Sequence, residues 1–327
     1  MIPQPHVKDT GVTRKAILQK GRGKIRKLAK LNYIYEKESR YFAQVSETAK
    51  LMAGEELTEL GAKNLSLEFR GIWFTASKPD FYRITYQSRL LSRILIPLIT
   101  FACPDKDTLY KEARKIHWEE VMSVKHTFSI TANVSESGIT HSNFAGLRVK
   151  DAIADYFRDR TNRRPNVDPK NPDIMINVHL HRDVATVSLD ASLGPLHKRG
   201  YREASVSAPM QETVAAAIIR RSGWDGTIPL YDPMCGSGTL LAEALMMYCR
   251  IPAQVFRTRF GFERLPDFDS RLWEKIRQAA EQNIRPLPPG LIAGSDISEQ
   301  SVTAAKTNLM GLHHGADVTV TQTDFWE

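Results

Sequence analysis

The sequence predicts an α/β protein whose N-terminal half is α+β and whose C-terminal part is Rossmann-like. Three observations carry that class. Residues 41–101 read in the order β-α-β-β-α-β, which is the ferredoxin-like arrangement. Residues 107–189 add a second α/β unit, in which 128–134 alternate cleanly between apolar and polar. Finally, Leu230-Tyr231-Asp232-Pro233-Met234-Cys235-Gly236-Ser237-Gly238-Thr239 reads as a short strand ending in an acid, a glycine turn and the start of a helix. That is how a parallel sheet delivers backbone amides to a nucleotide-type ligand.

The elements follow in order. A strand at 41–45 leads to a helix at 48–61, with Leu51, Leu57 and Leu60 apolar and Gly61 as its C-terminal stop. Runs at 65–69 and 71–75 form a hairpin, Lys78-Pro79 opens a helix running to about Ser88, and 93–101 is an apolar strand. The second unit has a helix at 107–116, the strand at 128–134 and a long amphipathic helix at 142–160. Phe144, Leu147, Val149, Ile153, Ala154 and Phe157 form the expected buried side of that helix. Strands at 174–180 and 184–189 turn across Arg182-Asp183. The third unit begins near Ser192 with a basic connector at 194–202. A helix at 209–222 follows, with Met210, Val214, Ala217 and Ile218 on one face. Then come a strand at 227–231, a helix at 238–249, an insertion at 251–289 with a helix at 271–282, a strand at 291–296, a helix at 298–309 and a strand at 318–320. The expected divisions are a basic flexible arm (1–38), a ferredoxin-like domain (39–104), a second domain (105–191) and a Rossmann-like domain (192–327).

Charge is concentrated at one end. Residues 1–40 hold eleven Lys/Arg against three acids, which accounts for the whole formal excess of +8. Such an arm suits a polyanion, most commonly nucleic acid; a solvated tail is the plain alternative. A basic helix is expected near 24–31. No run approaches the ~18 apolar residues of a membrane span, and the basic N-terminus lacks the apolar core of a secretory signal. An organelle transit peptide is disfavoured by the scarcity of Ser and Arg among the lysines. The three cysteines (Cys103, Cys235, Cys249) show no metal spacing. Neither disulfide nor metal is expected, and a reducing cytoplasm is.

The glycine turn is not a phosphate loop of the Walker type, because no Lys follows it, and Leu241 stands where a dinucleotide fingerprint needs its third glycine. Acids close three successive strands: Asp232, Asp296 and Asp324. An acid at the second strand tip suits the two hydroxyls of a ribose. Asp324 can accept from an adenine amino group while Phe325 packs on the ring. The usual loop-to-acid distance is about 20 residues, and the insertion at 251–289 must fold aside to explain the longer one here. Cys235 reads as a small loop residue rather than a nucleophile, and His179 and His181 as structural. The cluster Arg158, Arg160, Arg163 and Arg164 suits either phosphate or the C-terminal end of a helix dipole.

The Asp232–Thr239 string, preceded by Leu196-His197-Lys198-Arg199-Gly200-Tyr201-Arg202, resembles the THUMP-domain RNA methyltransferases. Most similar is the bacterial large-subunit rRNA guanine-N2 methyltransferase group, whose members have also been labelled N6-adenine-specific DNA methylases. The resemblance spans about 41–327 and is most specific from Gly194 to Asp324, while 143–157 is similar to the characteristic THUMP helix. It implies S-adenosylmethionine as cofactor, with Asp232, Pro233, Cys235, Gly236 and Gly238 framing its methionine part. Asp296 would hold the ribose, Asp324 and Phe325 the adenine, and the helix start at Pro209 to Thr213 would close over it. RNA, ribosomal or transfer, would lie on the THUMP unit and connector, with Arg148, Lys150, Arg163, Arg164, Lys198, Arg199 and Arg202 as its contacts.

The family's Asn/Asp-Pro-Pro-Tyr-like catalytic loop has no counterpart in the 327 residues. The expectation is therefore a truncated methyltransferase domain without catalytic residues, poorly stable and inactive by itself. The implied parent enzyme methylates guanine N2, most readily in 23S rRNA. The rivals are a non-catalytic RNA-binding THUMP fragment, a tRNA guanine-N2 methyltransferase and a DNA adenine-N6 methyltransferase.

Overall fold

A computed structural model describes residues 33–325. The expected basic helix near 24–31 and the rest of 1–32 lie outside the described residues. Helix α1 (Ile34–Glu38) precedes β1 (Arg40–Gln44), α2 (Lys50–Glu59), β2 (Lys63–Glu68), β3 (Gly71–Thr75), α3 (Lys78–Gln87) and β4 (Arg93–Ala102). Assignment of residues 33–38 to a flexible arm is corrected here: Tyr33 and Tyr35 are buried, and their rings stack at 6.1 Å. Two aromatic side chains on one turn give that segment an apolar face that the charge count obscured.

The strand order β2-β3-β1-β4, antiparallel throughout, is the ferredoxin-like one. The second unit supplies α4 (Lys106–Ala113), β5 (Thr127–Ser135), α5 (Ser142–Thr161), β6 (Asn166–Val167), β7 (Ile174–His181) and β8 (Val184–Asp190). Its strand β8 pairs antiparallel with β4 from Leu95↔Asp190 to Ala102↔Val184. Among the described residues the two units therefore share one eight-stranded sheet.

Local chemistry explains the helix boundaries. Ser77 caps α3 and Pro79 sits in its first turn, where a missing N–H costs nothing. The Asp105 carboxylate caps α4, accepting from Asp107 and Thr108 amides at 2.9 and 2.7 Å. Asn162 ends α5 in the left-handed conformation, φ 55°. The buried stripe of α5 differs from the expected one. Phe144 and Leu147 are exposed, and Ala145, Val149, Ala152, Ile153, Tyr156 and Phe157 face inward. Gly146 also faces the sheet, where a Cβ would make ordinary contact with Ile130 at 3.7 Å.

The third unit contains α6 (Glu212–Ser222), β9 (Leu230–Asp232), α7 (Thr239–Tyr248), α8 (Ser270–Gln282), β10 (Ile292–Asp296), α9 (Glu299–Met310) and β11 (Thr319–Gln322). Its three described strands are parallel, in the order β11-β10-β9. Leu241, Leu245, Ile292, Val302, Leu309 and Val320 are among the buried side chains that give this unit its own core. The insertion folds aside onto α3: Phe262 stacks on Tyr82 at 4.7 Å and Trp273 meets Tyr86 edge-on at 5.3 Å. Each such aromatic pair adds roughly 0.5–1.5 kcal/mol beyond burial. Among the described residues no helix is long and apolar enough to cross a membrane.

Candidate cofactor site

The site is built where β9 and β10 end side by side. Gly294 lies opposite Asp232 in their parallel register. Only a glycine fits there, since a Cβ would stand 2.8 Å from Leu241 Cδ1 and 2.9 Å from the Asp232 carbonyl oxygen. The chain then turns through Pro233 to Gly238. Gly236 and Gly238 take positive φ, 53° and 76°, and Gly238 packs against Ala305 of α9 as it starts α7.

Hydrogen bonds join the two strand tips. The Cys235 amide donates to the Ser295 carbonyl at 2.9 Å. The Gly236 amide donates to Asp296 Oδ2 at 2.9 Å, and the Ser298 amide to Oδ1 at 2.9 Å. Each carboxylate oxygen of Asp296 keeps a further lone pair, so the group can still accept from a ligand hydroxyl. Tyr231 donates to Ser295 Oγ at 2.7 Å. Burial pushes the Asp232 carboxyl above the usual carboxylate range, and Asp296 adds to the shift while the Met234 amide opposes it. Burial, with Asp232 and Asp296 adding, pushes the Cys235 thiol up to about 12. Such a thiol is a poor nucleophile.

The turn thus brings together Asp232, Pro233, Cys235, Gly236 and Gly238 with Asp296. Asp324 and Phe325 follow β11, which runs parallel beside β10, and the Phe325 ring is about half exposed. Pro209 is exposed just ahead of α6. Thr213 lines a groove of about 1800 Å³ that runs along the eight-stranded sheet, together with Val214, Ala217, Ile218, Trp73 and His179. The expected apolar face of α6 is therefore corrected. Met210, Val214 and Ile218 are exposed, and Ala215, Ala216 and Ile219 turn inward. The helix packs on α7, and its Ile219 joins the core that holds Leu241 and Leu245.

The basic residues divide. Arg163, Arg164 and Lys198 are exposed. Lys150 pairs with Asp151 at 2.9 Å; Arg148 reaches Asp107 at 3.1 Å and stands 4.8 Å over the Tyr110 ring. Arg202 donates to Thr239 Oγ1 at 3.0 Å and to the Met210 carbonyl at 2.9 Å, and pairs with Glu212. Arg199 cannot serve RNA. Its side chain is wholly buried against Glu243 and donates to the Leu196 and Arg89 carbonyls, each at 2.6 Å. Among the described residues no cluster of His, Cys, Asp and Glu could hold a metal ion.

Sequence reasoning missed Gly294, Arg199 as a buried ion partner, and Asn308. A lone glycine within a strand run is a signal of close backbone approach, whereas nothing local marks the other two.

Comparison with known proteins decides the family. Residues 199–327 match the RMKL-like methyltransferase domain, and residues 103–190 match the THUMP domain. The protein slr0064 of Synechocystis sp., proposed as an RNA methyltransferase, is 40% identical over 278 residues, spanning 85% of this chain and 72% of that protein. The chain belongs to the THUMP-containing, RMKL-like methyltransferases.

A second relative, the ribosomal RNA large subunit methyltransferase K/L of Syntrophotalea carbinolica, is 39% identical over 277 residues. These are 82% of this chain and 39% of that protein. Among solved structures, SMU.472, proposed as a methyltransferase and complexed with SAH, superposes with a TM-score of 0.76. It has 26% identity and covers 88% of this chain and 76% of the other. These findings overturn the reading of 192–327 as a truncated remnant without a catalytic part. The methyltransferase-domain match runs over the whole of 199–327, and a relative is spanned over most of its length. The expected instability and inactivity rested on a missing loop sequence, and they fall with that reading. The third unit has its own buried core between α7, α9 and the parallel strands.

Proposed function

We propose that this chain is an S-adenosylmethionine-dependent RNA methyltransferase. The observation that carries the proposal is the junction of Asp296 with the Gly236 amide at adjacent parallel strand tips, within a matched methyltransferase domain. The cofactor, when bound, supplies an activated methyl group on a sulfonium centre.

The chain's own residues divide the remaining work. Gly236 and Gly238 leave the backbone open to the methionine part, beside Asp232, Pro233 and Cys235. Asp296 accepts from the ribose hydroxyls through the lone pairs its backbone contacts leave unused. Asp324 and Phe325 serve the adenine, and Pro209, exposed ahead of α6, covers the cofactor from the side, whereas Thr213 faces the groove along the eight-stranded sheet. We assign 39–104 as the ferredoxin-like domain, 105–191 as the RNA-holding THUMP domain and 192–327 as the methyltransferase domain. Exposed Arg163, Arg164 and Lys198 suit phosphate, and the half-buried Arg148 and Lys150, paired with Asp107 and Asp151, are further contacts on α5. Large-subunit ribosomal RNA is the substrate class favoured by the names of the K/L relatives.

The test is transfer of labelled methyl from S-adenosylmethionine to large-subunit rRNA made without natural modifications. Label in folded rRNA and not in duplex DNA is expected. Label in DNA alone, or in neither, refutes the proposal.

A further inference from the structure

Asn308 lies on the buried side of α9 with 1% of its surface exposed. Its side-chain amide makes four hydrogen bonds. Oδ1 accepts from the Glu203 and Ala204 amides at 2.8 and 2.9 Å. Nδ2 donates to the Ala204 carbonyl at 2.9 Å and to the Ser237 carbonyl at 3.0 Å. Ser237 is the middle residue of the glycine turn. One side chain therefore ties three segments together: α9, the turn, and the connector that leads to α6.

The connector continues over the turn. Val206 Cγ2 lies 4.0 Å from the point a Cβ on Gly236 would occupy. Ala305, one helical turn before Asn308, packs against Gly238. Upstream, Arg202, the last residue of the basic 194–202 stretch, fastens the beginning of 203–208 to Thr239, the first residue of α7. Only a side-chain amide can accept from two N–H groups and donate to two carbonyls at once from this position. A carboxylate would lose both donors, and an apolar residue would leave all four backbone groups unpaired.

We infer that Asn308 is a positioning residue for the cofactor, which rests on the reading of this site given above. It sets the separation between the connector at 203–208 and the glycine turn, and so the width of the slot into which the methionine part must fit. It acts through the backbone of Ala204 and Ser237, not by touching the ligand.

The test uses the full chain and three variants: Asn308→Ala, Asn308→Asp and Leu309→Ala. Leu309 is equally buried, is the next residue of the same helix and belongs to the core alone. S-adenosylhomocysteine affinity is measured by calorimetry at a temperature where circular dichroism shows each variant folded. Amide exchange at 203–208 is measured without ligand. Both Asn308 variants are expected to exchange faster at 203–208 and to bind at least ten-fold more weakly. Leu309→Ala should lower the melting temperature and leave both readouts unchanged. Should Asn308→Ala fail to fold, Asn308→Asp, which keeps both acceptor contacts, decides the matter. Unchanged affinity in a folded Asn308 variant, or equal weakening by Leu309→Ala, overturns the inference. Absence of binding by the unaltered chain overturns the cofactor reading itself and is told apart by needing no variant.

Discussion

Arg199 and Glu243 form an ion pair with both side chains wholly withdrawn from solvent, Nε to Oε1 3.2 Å. The pair joins the connector before α6 to the middle of α7. Through the Arg89 and Leu196 carbonyls it also reaches the first unit and the start of the third. Removing one partner leaves a buried charge uncompensated, which costs about 3–5 kcal/mol. We predict that Arg199→Met lowers unfolding stability by that amount in a denaturant titration. A double replacement, Arg199→Met with Glu243→Leu, should recover a large part of it. A single variant within about 1 kcal/mol of the parent, the scale of an exposed pair, would contradict the role assigned to the pair.

Gly294→Ala should damage the site without removing any polar group. The new methyl meets the Asp232 carbonyl oxygen at 2.9 Å, and backbone cannot swing aside as the tip of Leu241 can. Overpacking of this kind costs typically 1–3 kcal/mol. A lower melting temperature together with weaker S-adenosylhomocysteine binding is expected. A variant that melts and binds like the parent would show that β9 and β10 can separate freely.

Thiol chemistry offers a pH-dependent check. Burial pushes Cys103 and Cys249 up to about 11 and Cys235 up to about 12. A folded-state pKa above the unfolded value of ~8.5 means that the stabilisation is fully present below that pH. It is lost as pH rises through the folded values. We expect no thiol to react with an aromatic disulfide reagent at pH 8 in the native chain, and all three to react in denaturant. Stability should fall with rising pH above about 9. Rapid labelling of Cys235 in the native state would refute this account of the turn.

The basic arm carries its own prediction. Residues 1–32 contain nine Lys/Arg and one acid. A deletion should stop at residue 32, because Tyr33 and Tyr35 are part of the core. Each lost phosphate contact lowers the slope of log affinity against log salt by about 0.7–0.9. RNA binding by the shortened chain should be weaker and less salt-dependent. An unchanged slope would show that the arm does not meet phosphate.

Much of the fold was legible because its signals are local. Alternation marks the strand at 128–134, Lys78-Pro79 marks a helix start, and the glycine turn marks the strand-to-helix corner. Asp296 and Gly236 could be anticipated as neighbours, since both stand at the C-terminal ends of parallel strands. What local pattern misled about was orientation. Val214 and Ile218 of α6 read as a buried face, yet Ala215, Ala216 and Ile219 are the buried residues and Val214 and Ile218 line the groove along the eight-stranded sheet. Arg199 read as a phosphate ligand because its partner Glu243 is far away in sequence, on another element. Asn308 gave no signal at all, since its four partners come from segments about 70 and 105 residues away. The absence of an Asn/Asp-Pro-Pro-Tyr-like loop does not mark a remnant, since the methyltransferase-domain match runs over 199–327.

The most direct measurement is calorimetric titration of the folded chain with S-adenosylhomocysteine, beside Asp296→Ala. Saturable one-to-one binding by the parent, abolished or weakened at least ten-fold in a folded variant, is the predicted result. No binding by the folded parent, or equal affinity in both proteins, would contradict the claim that the β9 and β10 tips form the cofactor site.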